Sequence, residues 1–330
     1  MRVVVTGATG NVGTSVLDAL GRDDAVTSIL GIARRLPAAR FAKTDFVAAD
    51  VARDDLAPLL RGADCVVHLA WLIQPSHDEA SLRRTNVDGS QRTFEAVVAA
   101  GVPALVVASS VGAYSARADP NPVDESWPTL GIPASWYSRQ KAEVERRLDA
   151  LEADRPGLRV VRLRPAITTK RDAASGQRRL FAGPLLPTAL LRPRWIPFVP
   201  NVPGLTLQLA HADDVGDAYR RAVLSDARGA FNVAGEPLLD PAAIAAALDT
   251  RTLRMPAGLL RGVARATWLA RLQPTSPDWI DLALGAPVLD TARARSELGW
   301  APTRDAAETL REVVTGMRER AGRETPPLET

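Results

Sequence analysis

The chain has 330 residues, 46% hydrophobic and 24% charged, the profile of an ordinary globular protein with a substantial core in one large domain or two closely joined ones. Lys and Arg number 41 against 38 Asp and Glu, a formal net charge of +3, and no basic run is interleaved with aromatics, which argues against a nucleic-acid partner. A lone Cys65 excludes a disulfide framework, and His68, His77 and His211 lack ligand-like spacing, so no metal is expected. The chain opens in a strand pattern with no signal peptide and no apolar stretch approaching ~18 residues, so a cytoplasmic location with no membrane partner is expected.

In chain order, Val3–Val5 forms a short apolar run, followed by Thr6-Gly7-Ala8-Thr9-Gly10-Asn11-Val12-Gly13 and a helical pattern with Val12, Val16, Leu17 and Leu20 on one face. Ile29–Ile32, Val66–Leu69, Leu105–Ala108 and Val160–Leu163 are further continuous apolar runs, as strands buried on both faces require. Amphipathic segments Thr85–Ala100 and Tyr137–Leu151 lie among them. This alternation predicts an α/β fold, a doubly wound parallel sheet of Rossmann type.

After Pro165 the texture changes. Residues 166–205 are rich in Arg and Pro and end in Trp195-Ile-Pro-Phe-Val-Pro-Asn-Val-Pro-Gly204, which reads as an apolar loop fit for a pocket wall, since proline breaks helix and central strand alike. Thr206–Leu209 and Gly229–Ala234 read as strands returning to the sheet, with helix Asp213–Leu224 between them. The rest reads as mainly helical, with a polar tail, Arg323–Thr330, expected to fray. Residues 1–165 and 206–235 therefore form the expected dinucleotide-binding domain, and 166–205 and 236–330 a smaller substrate-binding region.

Gly7, Gly10 and Gly13 stand between an all-valine strand and a helix, with Thr9, Asn11 and Val12 completing the turn. In such a cradle the first glycine permits the tight turn, the second lets backbone approach a pyrophosphate, and the third lets helix and strand pack closely. The helix N-terminus then offers free N–H groups to the phosphates. Arg34 lies 21 positions after Gly13, where an NAD-specific site places a carboxylate, and Arg35 follows it. A guanidinium fork suits a 2′-phosphate, so NADP(H) is favoured over NAD(H).

Tyr137 and Lys141 sit four residues apart on one helix and share a face. An ammonium near a phenol stabilises its phenolate, so the pair can take or give a proton at a substrate oxygen while hydride moves at the adjoining carbon. Ser109 and Ser110 close an apolar run upstream, and the Ser110 hydroxyl can hydrogen-bond the same oxygen. The three lysines (Lys43, Lys141, Lys170) and three tyrosines of the chain make this pairing sparse.

With those residues in place, the chain resembles the extended short-chain dehydrogenase/reductases, the NAD-dependent epimerase/dehydratase group, over nearly its whole length. The glycine motif matches the family's nucleotide motif, Ala49-Asp50-Val51 its adenine-contacting Asp-Val, and His68-Leu69-Ala70 its fourth-strand motif, with Trp71 where a small residue is more usual. Asn86-Val-Asp-Gly89, Ser110…Tyr137…Lys141, His211-Ala-Asp-Asp-Val215, Phe231-Asn-Val233 and Leu298-Gly-Trp-x-Pro302 are further landmarks. The resemblance implies that Ser110 orients substrate, Tyr137 is the acid/base and Lys141 holds the cofactor ribose. It also implies that Asp50, Val51, Leu69, Ala70, Trp71, Asn86, Ser109 and Pro165 belong to the cofactor site.

Two departures narrow this. Val111 and Gly112 follow Ser110 where family dehydratases carry Asp-Glu, which argues against elimination of water. Ala166-Ile-Thr-Thr-Lys-Arg171 replaces the Asn-bearing Gly-Pro motif of sugar-nucleotide members, although Arg171, Arg178, Arg179, Arg192 and Arg194 offer charge for a diphosphate or form a solvated loop. Three readings follow: an NADP(H)-dependent oxidoreductase on a small-molecule carbonyl or secondary alcohol, a nucleotide-sugar epimerase, and a non-catalytic NADP(H)-sensing protein. Two assembly readings also stay open. Phe94, Val97 and Val98 either pack on their own sheet or join a four-helix homodimer interface.

Overall fold

Successive valines of the first strand, β1 (Arg2–Thr6), enter different cores. Val3 and Val5 pack with Val16, Leu17, Leu20 and Tyr219, while Val4 packs with Val66, Phe94, Leu105 and Val144. A strand covered on both faces leaves no place for a polar alternate residue, which is why these runs are continuous. The structure, a computed structural model, describes residues 1–73, 78–181 and 197–329.

The other strands are β2 (Ser28–Ala33), β3 (Thr44–Ala48), β4 (Cys65–His68), β5 (Ala104–Ala108), β6 (Arg159–Pro165), β7 (Ile167–Thr169), β8 (Val199–Asn201), β9 (Leu209–His211), β10 (Gly229–Val233) and β11 (Thr252–Arg254). Seven of them form one parallel sheet in the order β10-β6-β5-β4-β1-β2-β3. The order runs outward from β1 in both directions, so the loops after β1 and β4 part there. That is the crevice where doubly wound sheets bind ligands.

Helices α1 (Asn11–Gly21) and, from farther along the chain, α7 (Ala212–Leu224) cover one face of the sheet. They touch closely: a Cβ on Gly216 would stand 2.7 Å from the Ser15 carbonyl oxygen. The other face is covered by α2 (Ala57–Leu60), by α4 (Gly89–Ala99), reached from α3 (Glu79–Arg83) through a π-helical turn at Arg84–Asp88, and by α5 (Trp136–Asp154). Beyond the sheet lie α6 (Ala174–Phe181), α8 (Pro241–Ala247), α9 (Ala257–Leu269), α10 (Asp278–Gly285), α11 (Ala292–Glu297) and α12 (Ala306–Glu319).

Several expectations need correction. Thr206–Leu209 does not return to the main sheet: residues 202–205 make a turn closed by Leu205 N–H on Val202 O at 3.0 Å, and β9 then pairs with β7. The tail does not fray along its described length. Leu328 is buried, Arg323 pairs with Asp18 at 2.7 Å and caps the Phe41 ring, and Ala39 N–H donates to Glu324 O. Of the residues with two assembly readings, Phe94 and Val97 are buried against their own sheet, while Val98 is half-buried. Strand β3, absent from the sequence reading, is a half-exposed edge strand whose Thr-Asp-Phe-Val-Ala lacks a continuous apolar run.

Two of the family-like landmarks meet each other. Asp214 at the start of α7 accepts from Thr303 N–H and Arg304 N–H at 3.0 and 2.9 Å, and its carbonyl accepts from the indole of fully buried Trp300 at 2.8 Å. Their role is to lock the C-terminal region onto the sheet.

Candidate active site

The β1–α1 turn is built by omitting side chains. Gly7 has φ +70°, and a Cβ there would lie 2.7 Å from Ala70 N; one on Gly13 would lie 2.3 Å from Gly7 O. Both are glycines because the turn packs on the chain after β4 and on itself. Gly10 is different. A Cβ there would meet nothing closer than Gly7 O at 3.4 Å, so packing does not require glycine and the backbone is left open on that side. Gly10 is also the N-cap of α1, with no side-chain cap and no acid in the first turn. N–H donors at a helix N-terminus, with open backbone beside them, fit a pyrophosphate. Thr9 is buried in the turn and Val12 is half-buried on the first turn of α1. Asn11 donates to Thr168 O at 2.9 Å, while its buried Oδ1 has no hydrogen-bond partner among the described residues.

Arg34 follows the C-terminal end of β2, exposed and with no hydrogen bond or ion pair among the described residues; Arg35 beside it donates to Pro326 O at 3.3 Å. Asp50 accepts from Ala52 N–H at 2.9 Å, shaping the turn that presents buried Val51. Leu69 and Ala70 line the half-buried chain after β4, and Pro165 ends β6 opposite Val233. The Asn86 Oδ1 accepts from Leu72 N–H at 2.7 Å, and its Nδ2 donates to Leu72 O and Gln140 Oε1, each at 2.9 Å. It clamps the chain after β4 to α5.

Ser110, Tyr137 and Lys141 converge at the C-terminal end of β5. Ser110 Oγ accepts from Gly112 N–H at 3.0 Å, and a Cβ on Gly112 would stand 2.7 Å from Tyr137 Cε1 and 3.4 Å from Ser110 Oγ. Gly112 is thus the floor that lets ring and hydroxyl meet. Burial pushes the Tyr137 phenol up to about 12, against the opposing hydrogen bond from Ser110. The phenol is therefore protonated at neutral pH. Lys141 donates to Ala108 O at 2.7 Å, and its ammonium lies 3.5 Å from the centre of the Trp71 ring. Burial lowers it to about 7, with the charge of Glu145 resisting.

Three indoles surround Tyr137: Trp71 and Trp136 edge-on with ring centres at 5.9 and 6.0 Å, and Trp279 of α10 at 5.3 Å. The sequence reading placed Trp71 here but missed Trp136, adjacent in the chain, and Trp279, which is distant in it.

It also missed Glu145, one turn beyond Lys141 and fully buried. Glu145 accepts from Ser109 Oγ, from Arg162 at 2.9 Å, and from Arg164 through a fork at 2.8 and 3.0 Å. Arg164 continues to Tyr114 Oη and Glu125 O, each at 2.9 Å. The two guanidinium groups hold the Glu145 carboxyl at about 2, although its burial alone would raise it. Ser109 is therefore engaged with a buried carboxylate beneath the site.

Other candidates are structural. His68 bridges Thr6 and Ser90 at 2.8 and 2.9 Å and is pushed down to about 3 by burial, while Cys65 is fully buried with its thiol pushed up to about 12. Arg171 pairs with Glu319 at 2.7 Å, and Arg179 donates to Glu329 O and Pro327 O. His77, Arg192, Arg194 and Trp195 lie outside the described residues.

Residues 3–169 match the NAD dependent epimerase/dehydratase family. The chain belongs to this family. It is 29% identical over 340 residues to UDP-glucose 4-epimerase of Mycolicibacterium smegmatis, covering 97% of this chain and 100% of the relative. It is 34% identical over 176 residues to L-arabinose 1-dehydrogenase (NAD(P)(+)) of Haloferax volcanii, covering 49% of this chain and 65% of the relative. In structure it superposes on MoeE5 in complex with UDP-glucuronic acid and NAD with a TM-score of 0.70 at 24% identity, covering 97% of this chain and 100% of that one. The chain spans 31% of the length of relatives from Mycobacterium tuberculosis and Mycobacterium bovis to which it is 28% identical over 329 residues.

Proposed function

We propose that this member of the family is an NADP(H)-dependent oxidoreductase that transfers hydride at a carbonyl or secondary-alcohol carbon, with Tyr137 as the acid/base. One observation carries the reading: Ser110 Oγ and the Tyr137 ring share the floor at Gly112, with the Lys141 ammonium behind them. The open backbone at Gly10 and the first turn of α1 would hold the pyrophosphate, and unpaired Arg34 the 2′-phosphate. The bound dinucleotide supplies or accepts hydride.

Ser110 orients the substrate oxygen. Tyr137, protonated at neutral pH, gives that oxygen a proton in the reductive direction. Lys141, held near 7, then faces a phenolate and stabilises it. The three indoles exclude water and present apolar faces, which suits a substrate whose carbonyl is carried on an apolar or ring-shaped body.

Likeness to UDP-glucose 4-epimerase along the full length of that protein supports a second reading, a nucleotide-sugar epimerase. Against it, Arg171 and Arg179 are tied to α12 and the tail. The test is NADPH oxidation across a panel of ketones and aldehydes, beside nucleotide sugars followed by product stereochemistry. Net oxidation with a carbonyl compound is the expected result. Inversion of a sugar without net oxidation would replace the oxidoreductase with the epimerase, and NADPH binding with no turnover on either panel would leave a sensor.

A further inference from the structure

Helix α9 has no buried residue, although eight of its thirteen residues are apolar. Ala257, Leu260, Ala264, Thr267 and Trp268 are half-buried and face the body of the protein. The opposite side carries Leu259, Gly262, Val263, Ala266 and Ala270 at helical spacing, all exposed, with no charge among them. Leu259, Val263 and Leu269 are 55, 54 and 61% exposed, and Leu253 and Leu272 at either end are 47 and 59% exposed. A Cβ on Gly258 or Gly262 would meet nothing within 4 Å. An ordinary surface helix shows water its polar face; this one shows its apolar face.

The charges on the segment itself have one sign. Residues 250–277 contain five arginines (Arg251, Arg254, Arg261, Arg265 and Arg271) and no Asp or Glu. Arg261 pairs with Asp281 of α10 at 2.9 Å, while the other four have no ion pair among the described residues. An apolar face flanked by unpaired arginines matches an anionic lipid surface, where leucines enter the acyl boundary and guanidinium groups meet headgroup phosphates. A second copy of the chain fits poorly, because a two-fold contact through α9 would set arginine against arginine.

We propose that α9, with the strand leading into it, docks on an anionic membrane surface. No helix among the described residues is long and apolar enough to span a membrane; this contact lies in the interface. The Arg261–Asp281 pair joins α9 to α10, which carries Trp279, so the docking face adjoins the candidate site.

The test is co-sedimentation of the whole protein with phosphatidylglycerol/phosphatidylcholine vesicles and with phosphatidylcholine vesicles alone. The expected result is at least ~10-fold stronger partition onto the anionic vesicles, weakened by added salt. Leu259→Asp with Val263→Asp should abolish it, and Arg251→Glu with Arg265→Glu should weaken it, each with an unchanged thermal midpoint because the side chains are exposed. Absence of binding to anionic vesicles, binding indifferent to both double variants, or a solution dimer dissolved by Val263→Asp would each overturn the proposal, the last by assigning the face to a second copy.

Discussion

On the β1–α1 side of the cleft the chain makes its site from bare backbone: Gly7 and Gly13 leave no room for a Cβ, Gly10 needs none, and no charged side chain caps the helix. On the α5 side the site is made of side chains. Tyr137, Lys141 and Glu145 descend one helical face, each almost fully buried, and two arginines from β6 neutralise the lowest. Under the proposed function the first side would meet a ligand by shape and oriented N–H groups. The second acts by placing ionisable groups where water cannot screen them, which requires a buried counter-charge. Substitutions on the two sides should therefore fail differently: by steric loss of the turn on one, and by orphaned charge on the other.

The largest expected effect is on stability from the α5 side. Glu145→Gln leaves Arg164 without a carboxylate partner, while Arg162 keeps Asp149 and Glu152, and should lower the unfolding free energy by about 3–5 kcal/mol, read by denaturant titration. The same group sets an acid limit. Its folded carboxyl sits at about 2, below its ordinary 4.5, so the stability it contributes is complete above 4.5 and is lost as pH falls toward 2. Stability of the Glu145→Gln variant should lack that component of the acid dependence.

A glycine pair sharpens the other side of the comparison. Gly13→Ala pushes a methyl into Gly7 O and should cost about 1–3 kcal/mol together with cofactor binding. Gly10→Ala, with only a 3.4 Å contact to make, should keep the thermal midpoint and weaken dinucleotide binding alone. Equal destabilisation by both would mean that Gly10 is a packing glycine like its neighbours. Smaller still is the effect at the adenosine end. Arg34→Asp should erase or invert an NADPH preference of at least about tenfold, about 1.4 kcal/mol, measured as the ratio of NADPH to NADH dissociation constants.

The legibility of the two sides in sequence follows from the same contrast. The cradle is a local pattern of strand, glycines and helix, and Tyr137–Lys141 a spacing within one helix, so both could be read without the structure. Glu145 continues that face, yet a glutamate in a helix with Arg146 and Arg147 reads as a solvated charge until Arg162 and Arg164 of β6 are seen beneath it. Trp279 is brought to Tyr137 by the path of the C-terminal region, which no local pattern encodes. Asn86 is legible as part of a motif, but its hydrogen bonds to Leu72 and Gln140 depend on the path of the chain after β4, which no local pattern encodes. Strand β3 escaped because an edge strand with its residues half-exposed need not be apolar. The docked tail escaped because one buried leucine, the Arg323–Asp18 ion pair and a hydrogen bond from Arg35 to Pro326 O leave no periodicity to detect.

The central claim is that the Tyr137 hydroxyl moves the proton. The most direct measurement pairs turnover of a carbonyl substrate with NADPH affinity in the unaltered protein and in Tyr137→Phe, which keeps the ring against Trp71, Trp136 and Trp279 and removes only the hydroxyl. Turnover should fall by about 100- to 10,000-fold, the range general acid–base catalysis supplies, with the NADPH dissociation constant little changed. Turnover by Tyr137→Phe at the rate of the unaltered protein would contradict the account.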